Sequence, residues 1–364
     1  MQQPQSEWSG THIARDWISG LSPASFALVM ATGIVSMAGE ALGFHRIAMG
    51  LLALNLVAFT ILWAMTLLRL VLHPERLLAD LRTHSKGPGY FTIVAGTSVV
   101  GSQLLILTDQ ADLATGLWML ALGLWGLISY AFFTSVIVHP SKPSIEEGLS
   151  GVWLIASVAT QSIAVLGALV AEHFPTHQED ILFLCLLFYF MGGMLYLNIM
   201  ALVFQRLTFL AVEPGSLTPP YWISMGATAI ATQAGATLVL HAGESPLLLE
   251  LAPFIKGFTL FFWAAGTWWI PLLICLAVWT HWRKGVPLVY TPLFWGAVFP
   301  LGMYTVSTHH LAMALDMEVL RVIPAVTIYA AFLAWGLTFF GLLRRLVSIL
   351  RMVTRLGASG LGRE

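Results

Sequence analysis

The chain has 364 residues, of which 58% are hydrophobic and only 10% charged, with a mean hydropathy of +0.82. A chain that faces water on every side carries about 25% charged residues, so this one lacks the polar surface to do so and reads as an integral membrane protein. Its 17 basic and 18 acidic residues nearly cancel, to a net charge of -1, which excludes the broad basic field that nucleic-acid binding uses.

The first 22 residues are polar and mixed in charge, and no small-residue cleavage site follows a short apolar core, so the first apolar run is expected to be a permanent span. Ten runs are long enough for a bilayer core of about 30 Å, at 23–42, 47–72, 90–107, 113–138, 149–171, 181–207, 221–240, 253–280, 293–314 and 320–342. None shows the alternation of a barrel strand. The expected fold is an all-α membrane protein in three parts: a cytoplasmic N-terminal segment 1–22, a ten-helix transmembrane domain 23–342, and a basic cytoplasmic tail 343–364.

Lysine and arginine set the orientation. Fourteen of the 17 fall on the side of the termini and the even-numbered loops, and three on the other, which predicts cytoplasmic termini by the positive-inside rule. Within the second loop, Leu77, Leu78 and Leu81 share one helical face among charged residues, which predicts a short interfacial helix.

The spans alternate in character. Gly, Ala, Ser and Thr make up 47 of the 103 residues in the odd spans but 36 of 130 in the even ones, so the odd helices are expected to pack innermost. A weak repeat supports five related hairpins: Ser102-Gln103, Thr160-Gln161, Thr232-Gln233 and Thr308-His309 lie in odd spans behind Phe91, Trp153, Trp222 and Trp295. Four odd spans are opened or preceded by proline: Pro23, Pro88, Pro219 with Pro220, and Pro292. Five inner helices that all begin at the cytoplasmic face would turn their positive dipole ends toward one mouth, which favours an anion there.

Few ionisable residues fall on the inner helices: Glu40 toward the end of the first, and His309 and His310 toward the end of the ninth. Such a pore suits weak binding and fast passage. Gln103, Gln161, Gln233 and His309 are candidate pore-lining polar groups, with interhelical hydrogen bonding the competing reading for each glutamine. Adjacent positions lie about 100° apart on a helix, so His309 and His310 cannot both face a lumen or share a metal well.

Cys185 and Cys275 lie in apolar runs and offer neither a disulfide framework nor a cysteine zinc site. His173 and His177 are separated by Pro175 and are expected to be solvated, while His73, His139 and His281 suit helix C-termini. No Walker motif and no hydrolytic acid pair is present, so neither ATP-driven pumping nor membrane hydrolase chemistry is expected; the expected transporter carries no cofactor and no metal. A haem-bearing oxidoreductase with two ligating histidines is the alternative from another class.

The stretch from Phe294 through Trp295, Gly296 and Phe299 to Pro300 and Gly302 resembles the ninth-helix signature of the tellurite-resistance and dicarboxylate transporter family. That TehA-like family includes malate permease, the fungal sulfite pump and the slow anion channels of plant guard cells. Ser22-Pro23-Ala24-Ser25-Phe26 leading to Ala31-Thr32-Gly33, and Trp263 through Gly266-Thr267-Trp268-Trp269, match other helices of the same family. The resemblance implies a homotrimer with a pore in each protomer, lined by the five odd helices and closed by the phenylalanine of the Trp-x-x-x-Phe-Pro stretch, here Phe299. Independently, Phe299 precedes Pro300 within an inner helix, where the missing N–H permits a kink. Phe294 stands where many relatives carry a first tryptophan, and phosphorylation control through an extended soluble domain, as in the plant channels, is not expected.

The expected substrate is a small anion: a dicarboxylate such as malate, sulfite or another oxyanion, or chloride or nitrate. The alternative within transport is a proton-coupled dicarboxylate symporter, for which Glu40 is the candidate coupling acid. The expected location is the inner cell membrane.

Overall fold

The computed structural model describes residues 18–360, with side chains as far as Ile349 and at Arg351. Most of the predicted segment 1–22, including Arg15, and residues 361–364 of the predicted tail lie outside the described residues. Ten long α-helices are present among the described residues: α1 (Ala27–Ala41), α2 (His45–Leu72), α3 (Phe91–Thr108), α4 (Ala111–Val138), α5 (Ile155–Ala171), α6 (Gln178–Phe209), α7 (Ile223–Leu240), α8 (Pro246–Val278), α9 (Trp295–Leu315) and α10 (Val322–Gly360). The last runs unbroken through position 342, so the predicted tail begins as its continuation.

Eight of these helices are long and apolar enough to cross a membrane; α1 and α9 are not among them. Helix α1 is apolar but has only 15 residues, and α9 carries Thr305, Ser307, Thr308, His309 and His310 within its 21. The count of spans shown on length and composition is therefore eight, against the ten expected.

The alternation read from the small residues has a direct counterpart in burial. In the apolar windows of α3, α5 and α7, 78%, 94% and 89% of residues are buried, against 17–44% for α2, α4, α6, α8 and α10. Each odd helix packs against the even helix that follows it, and the odd helices pack on one another in the cyclic order α1, α3, α5, α7, α9 and back to α1. Every even helix also touches the next odd one, with α10 returning to α1. Small residues permit this: a Cβ on Gly33 of α1 would lie 2.4 Å from Val99 Cγ1 of α3, so only glycine fits that seam.

Two buried arginines fasten the connections. Arg69, 3% exposed in the last turn of α2, donates to the Tyr90 hydroxyl at 3.1 Å and to Asp80 at 2.6 Å. Arg206, in the last turn of α6, donates to the Tyr221 hydroxyl and, at 2.9 Å, to the Glu146 carbonyl. In both cases a cation at the carbonyl end of an even helix grips a tyrosine just before the next odd helix. The predicted interfacial helix is present at Pro74–Leu81; Leu77 and Leu81 pack inward and Leu78 faces out.

Candidate functional site

Each odd helix is entered through a tight turn. Gly87–Tyr90, Gly151–Leu154, Pro219–Trp222 and Pro292–Phe294 are 3-10 turns leading into α3, α5, α7 and α9. Before α1, Ser25 and Ala27 N–H groups donate three residues back to Ser22 and Ala24. Proline lies in the first positions of three of these turns, where its absent N–H leaves nothing unpaired.

These five entries converge on one cavity of about 30 Å³. Its wall takes Met30 from α1, Thr92 from α3, Val158 from α5, Ile223 from α7, and Gly296 and Phe299 from α9. That volume is enough for about one or two waters. The cavity wall contains no charged side chain, and its polar side-chain groups are the hydroxyls of Ser22 and Thr92 and the indole of Trp295. Thr92 Oγ1 is already used, donating to the Gly89 carbonyl at 2.7 Å.

Phe299 is 2% exposed, and the next residue sets its position. Helix α9 continues through Pro300, which has no N–H to give the Gly296 carbonyl one turn earlier. The pyrrolidine ring seats against α7 at Gly226, where an added Cβ would lie 2.7 Å from Pro300 Cγ. The missing side chain of Gly226 therefore fixes how closely the helix bearing Phe299 approaches its neighbour.

The other predicted residues are spread along the odd helices. Gln103 is fully buried and accepts from Asn55 Nδ2 of α2 at 2.9 Å. Gln161, also fully buried, donates to the Tyr189 carbonyl of α6 at 2.9 Å. Both side chains are directed at a surrounding even helix, the geometry of interhelical ties. Gln233 meets a histidine, but that residue is His310, whose Nδ1 lies 2.9 Å from Gln233 Oε1. The His309 ring stands roughly perpendicular to the His310 ring, with centroids 5.7 Å apart. Glu40 pairs with exposed His45 at 2.9 Å beside the end of α1. His173 is partly exposed and His177 exposed, as expected.

A larger crevice of about 560 Å³ lies outside the odd helices, between α8, α10 and the connection before α9. Leu273, Ala277, Ala334 and Leu337 line it, together with Ala297 and Leu301 from the outer side of α9.

Residues 20–343 match the family model for voltage-dependent anion channels. An uncharacterised membrane protein of Mycobacterium tuberculosis is 38% identical over 154 residues, 42% of this chain and 78% of the relative. An uncharacterised transporter of Methanocaldococcus jannaschii is 25% identical over 329 residues, covering 89% of this chain and 92% of the relative. A sulfite efflux pump of Arthroderma otae is 25% identical over 352 residues, covering 89% and 91%.

Proposed function

The chain belongs to the voltage-dependent anion channel family, a membrane anion transporter rather than an enzyme, and we propose that it passes small anions along the axis of its odd helices, with Phe299 as the gate. In this reading all ten helices cross the membrane, α1 and α9 included, as five hairpins around a pore. The observation that carries it is the cavity in which five helix entries meet beside Phe299.

The physical argument has two parts. The first-turn N–H groups of five helices have no intrahelical partners, and their dipoles add to a positive potential at that end. An anion is drawn in without a fixed cation that would hold it, which suits passage more than storage. Phe299 then fills the constriction with an apolar ring, and a hydrophobic constriction blocks ions by excluding the water they carry.

Sulfite or a similar small oxyanion leads the substrate classes, because the Arthroderma otae relative is named a sulfite efflux pump. Malate, chloride and nitrate remain in the comparison set. A homotrimer with one pore per protomer, inner-membrane placement and cytoplasmic termini belong to the same proposal, the last supported by the bias of Lys and Arg. Membership of a transport family displaces the haem oxidoreductase alternative.

The test is anion flux in proteoliposomes, wild type against Phe299→Ala, across chloride, nitrate, sulfite and malate. Low wild-type flux and high variant flux support the gate, and the permeability order ranks the substrates. If neither conducts but the wild type accumulates malate only with a proton gradient, a coupled carrier replaces the channel, and Glu40→Gln then asks whether Glu40 is its acid.

A further inference from the structure

At the opposite end of the bundle from the Phe299 cavity, where α5 and α7 finish, we propose that Glu172, His241 and Glu244 form a binding site for a divalent metal ion of the zinc class. Nothing in the transport reading requires this site, and it stands on different residues.

The argument begins with the His241 ring, which is 7% exposed. Its Nδ1 lies 2.7 Å from the Thr237 carbonyl, and its Nε2 lies 2.8 Å from Glu172 Oε1. A carbonyl oxygen only accepts, so Nδ1 carries the hydrogen. A neutral imidazole then presents a lone pair at Nε2, and the carboxylate oxygen facing it also only accepts. Two lone pairs at 2.8 Å repel unless a cation lies between them. That cation is either a second proton on the ring or a metal ion.

Glu244 favours the metal. It ends the turn Ala242–Glu244 directly after His241, and one ligand atom from each of Glu172, His241 and Glu244 can be chosen so that all lie within 4.8 Å of one another. A proton on Nε2 satisfies one carboxylate. A divalent ion takes both carboxylates and the imidazole, which is a donor set that zinc accepts. Tetrahedral ligands at about 2.0–2.2 Å from one ion stand roughly 3.3–3.6 Å apart, so the His241–Glu172 pair, at 2.8 Å, would open by about half an ångström to share an ion. The exposed Glu244 side chain closes the remaining gap by rotation, and a fourth position stays open to water.

The surroundings fit the same reading. A histidine that ligates a metal commonly donates its other N–H to a backbone carbonyl, which fixes the tautomer, and Thr237 does this for His241. Gln178, at the start of α6, donates to Glu244 Oε2 and so orients the third ligand. Among the described residues no lysine or arginine pairs with Glu172 or Glu244, so their charge is not otherwise compensated. The carbonyl ends of α5 and α7 add a potential that favours a cation.

The experiment uses the purified full-length chain in detergent, stripped with a chelator and titrated with Zn2+ against a competing indicator dye. Co2+ is added in parallel for its visible ligand-field bands. The expected result is one ion per chain, with binding lost in His241→Ala and in Glu244→Gln. Gln178→Ala should weaken it roughly 10–100-fold, as removal of a ligand's hydrogen-bond partner does. His177→Ala, on the neighbouring connection, should bind as the wild type does.

Glu244 is exposed, so its variant keeps the test decisive if His241→Ala does not fold. Absence of Zn2+ binding, or binding that survives Glu244→Gln, overturns the proposal and leaves His241 as a hydrogen-bond partner of Glu172. The readout is metal binding and not anion flux, so its failure is separate from failure of the transport reading.

Discussion

The indole N–H of Trp335 donates to the Thr32 hydroxyl at 3.1 Å, joining the last helix to the first across 303 positions of sequence. Two other bonds of the same kind link an even helix to the odd helix of the next hairpin: Trp125 to Thr160 at 2.8 Å, and Trp263 to Thr308 at 3.0 Å. An indole is well suited to the task, since its body packs in apolar surroundings while its single N–H reaches one acceptor. The Trp335–Thr32 bond closes the circle that the other two extend.

Replacing Trp335 with Phe should therefore lower thermal stability modestly. Interhelical hydrogen bonds in membranes are worth about 0.6 kcal/mol on average and up to about 1.7, and the ring stacking on Phe339 is partly kept. Thermal unfolding in detergent would check this, with Trp125→Phe and Trp263→Phe expected to cost a similar amount. Equal stability of Trp335→Phe and wild type would mean that helix packing alone closes the circle.

Asp80 supplies the charge that Arg69 needs. Partial burial pushes the Asp80 carboxyl up, but hydrogen bonds and charge from Arg69 and Lys86 outweigh it and hold the pKa below its ordinary value of 3.8. A carboxyl lowered on folding stabilises above its unfolded pKa, and that stability is lost as pH falls through the folded value. The wild type should lose stability on acidification below about pH 4, and Asp80→Asn should flatten that dependence. The variant should also cost on the order of 2–3 kcal/mol, short of the about 3–5 of a fully buried pair, because Tyr90 still accepts from Arg69. Unfolding midpoints measured from pH 3 to pH 7 test both statements.

The inner and outer roles of the helices were legible in composition, because a helix that others approach closely must carry small residues all round. Helix entries were legible too, since Pro88, Pro219 and Pro292 mark first turns by their chemistry alone. The partners of buried polar groups were not. Gln103 sits on a helix that is mostly buried, and nothing local says whether its amide meets a lumen or Asn55, 48 positions away. His309 and His310 differ by about 100° of rotation, and only the placement of α7 selects His310 for Gln233. Arg69 and Arg206 are among the basic residues that set orientation, and the sign of a charge does not name its partner; a tyrosine opening the next helix is the available clue. Glu172 and His241 come together only because α5 and α7 end side by side.

Gly226→Ala should displace the helix that carries Phe299. The new methyl would sit 2.7 Å from Pro300 Cγ, closer than carbon atoms pack, so α9 must move away from α7. Overpacking of this kind costs about 1–3 kcal/mol. In the gated-pore reading it should also raise anion leak, because Phe299 leaves its seat. Gly116→Ala, where a Cβ meets nothing within 4 Å, is the control: it should gain up to about 1 kcal/mol of helix stability and leave the leak unchanged. Flux in proteoliposomes that rises in Gly226→Ala and not in Gly116→Ala would tie the approach of these two helices to gating.

Gln161 separates a structural role from a conducting one. Its Nε2 donates to the Tyr189 carbonyl, and its side chain lies within 2.8 Å of where a Cβ on Gly192 would be, so it fills the seam between α5 and α6. Gln161→Leu removes the donor while keeping most of the volume, and should lower stability by less than about 1 kcal/mol, because the Tyr189 carbonyl keeps its own helical bond within α6 and loses only the second one. The order of permeability among chloride, nitrate, sulfite and malate should stay as in the wild type. A changed order in a variant of unchanged stability would place the amide in contact with the passing ion, and the tie to Tyr189 would then be only its resting position.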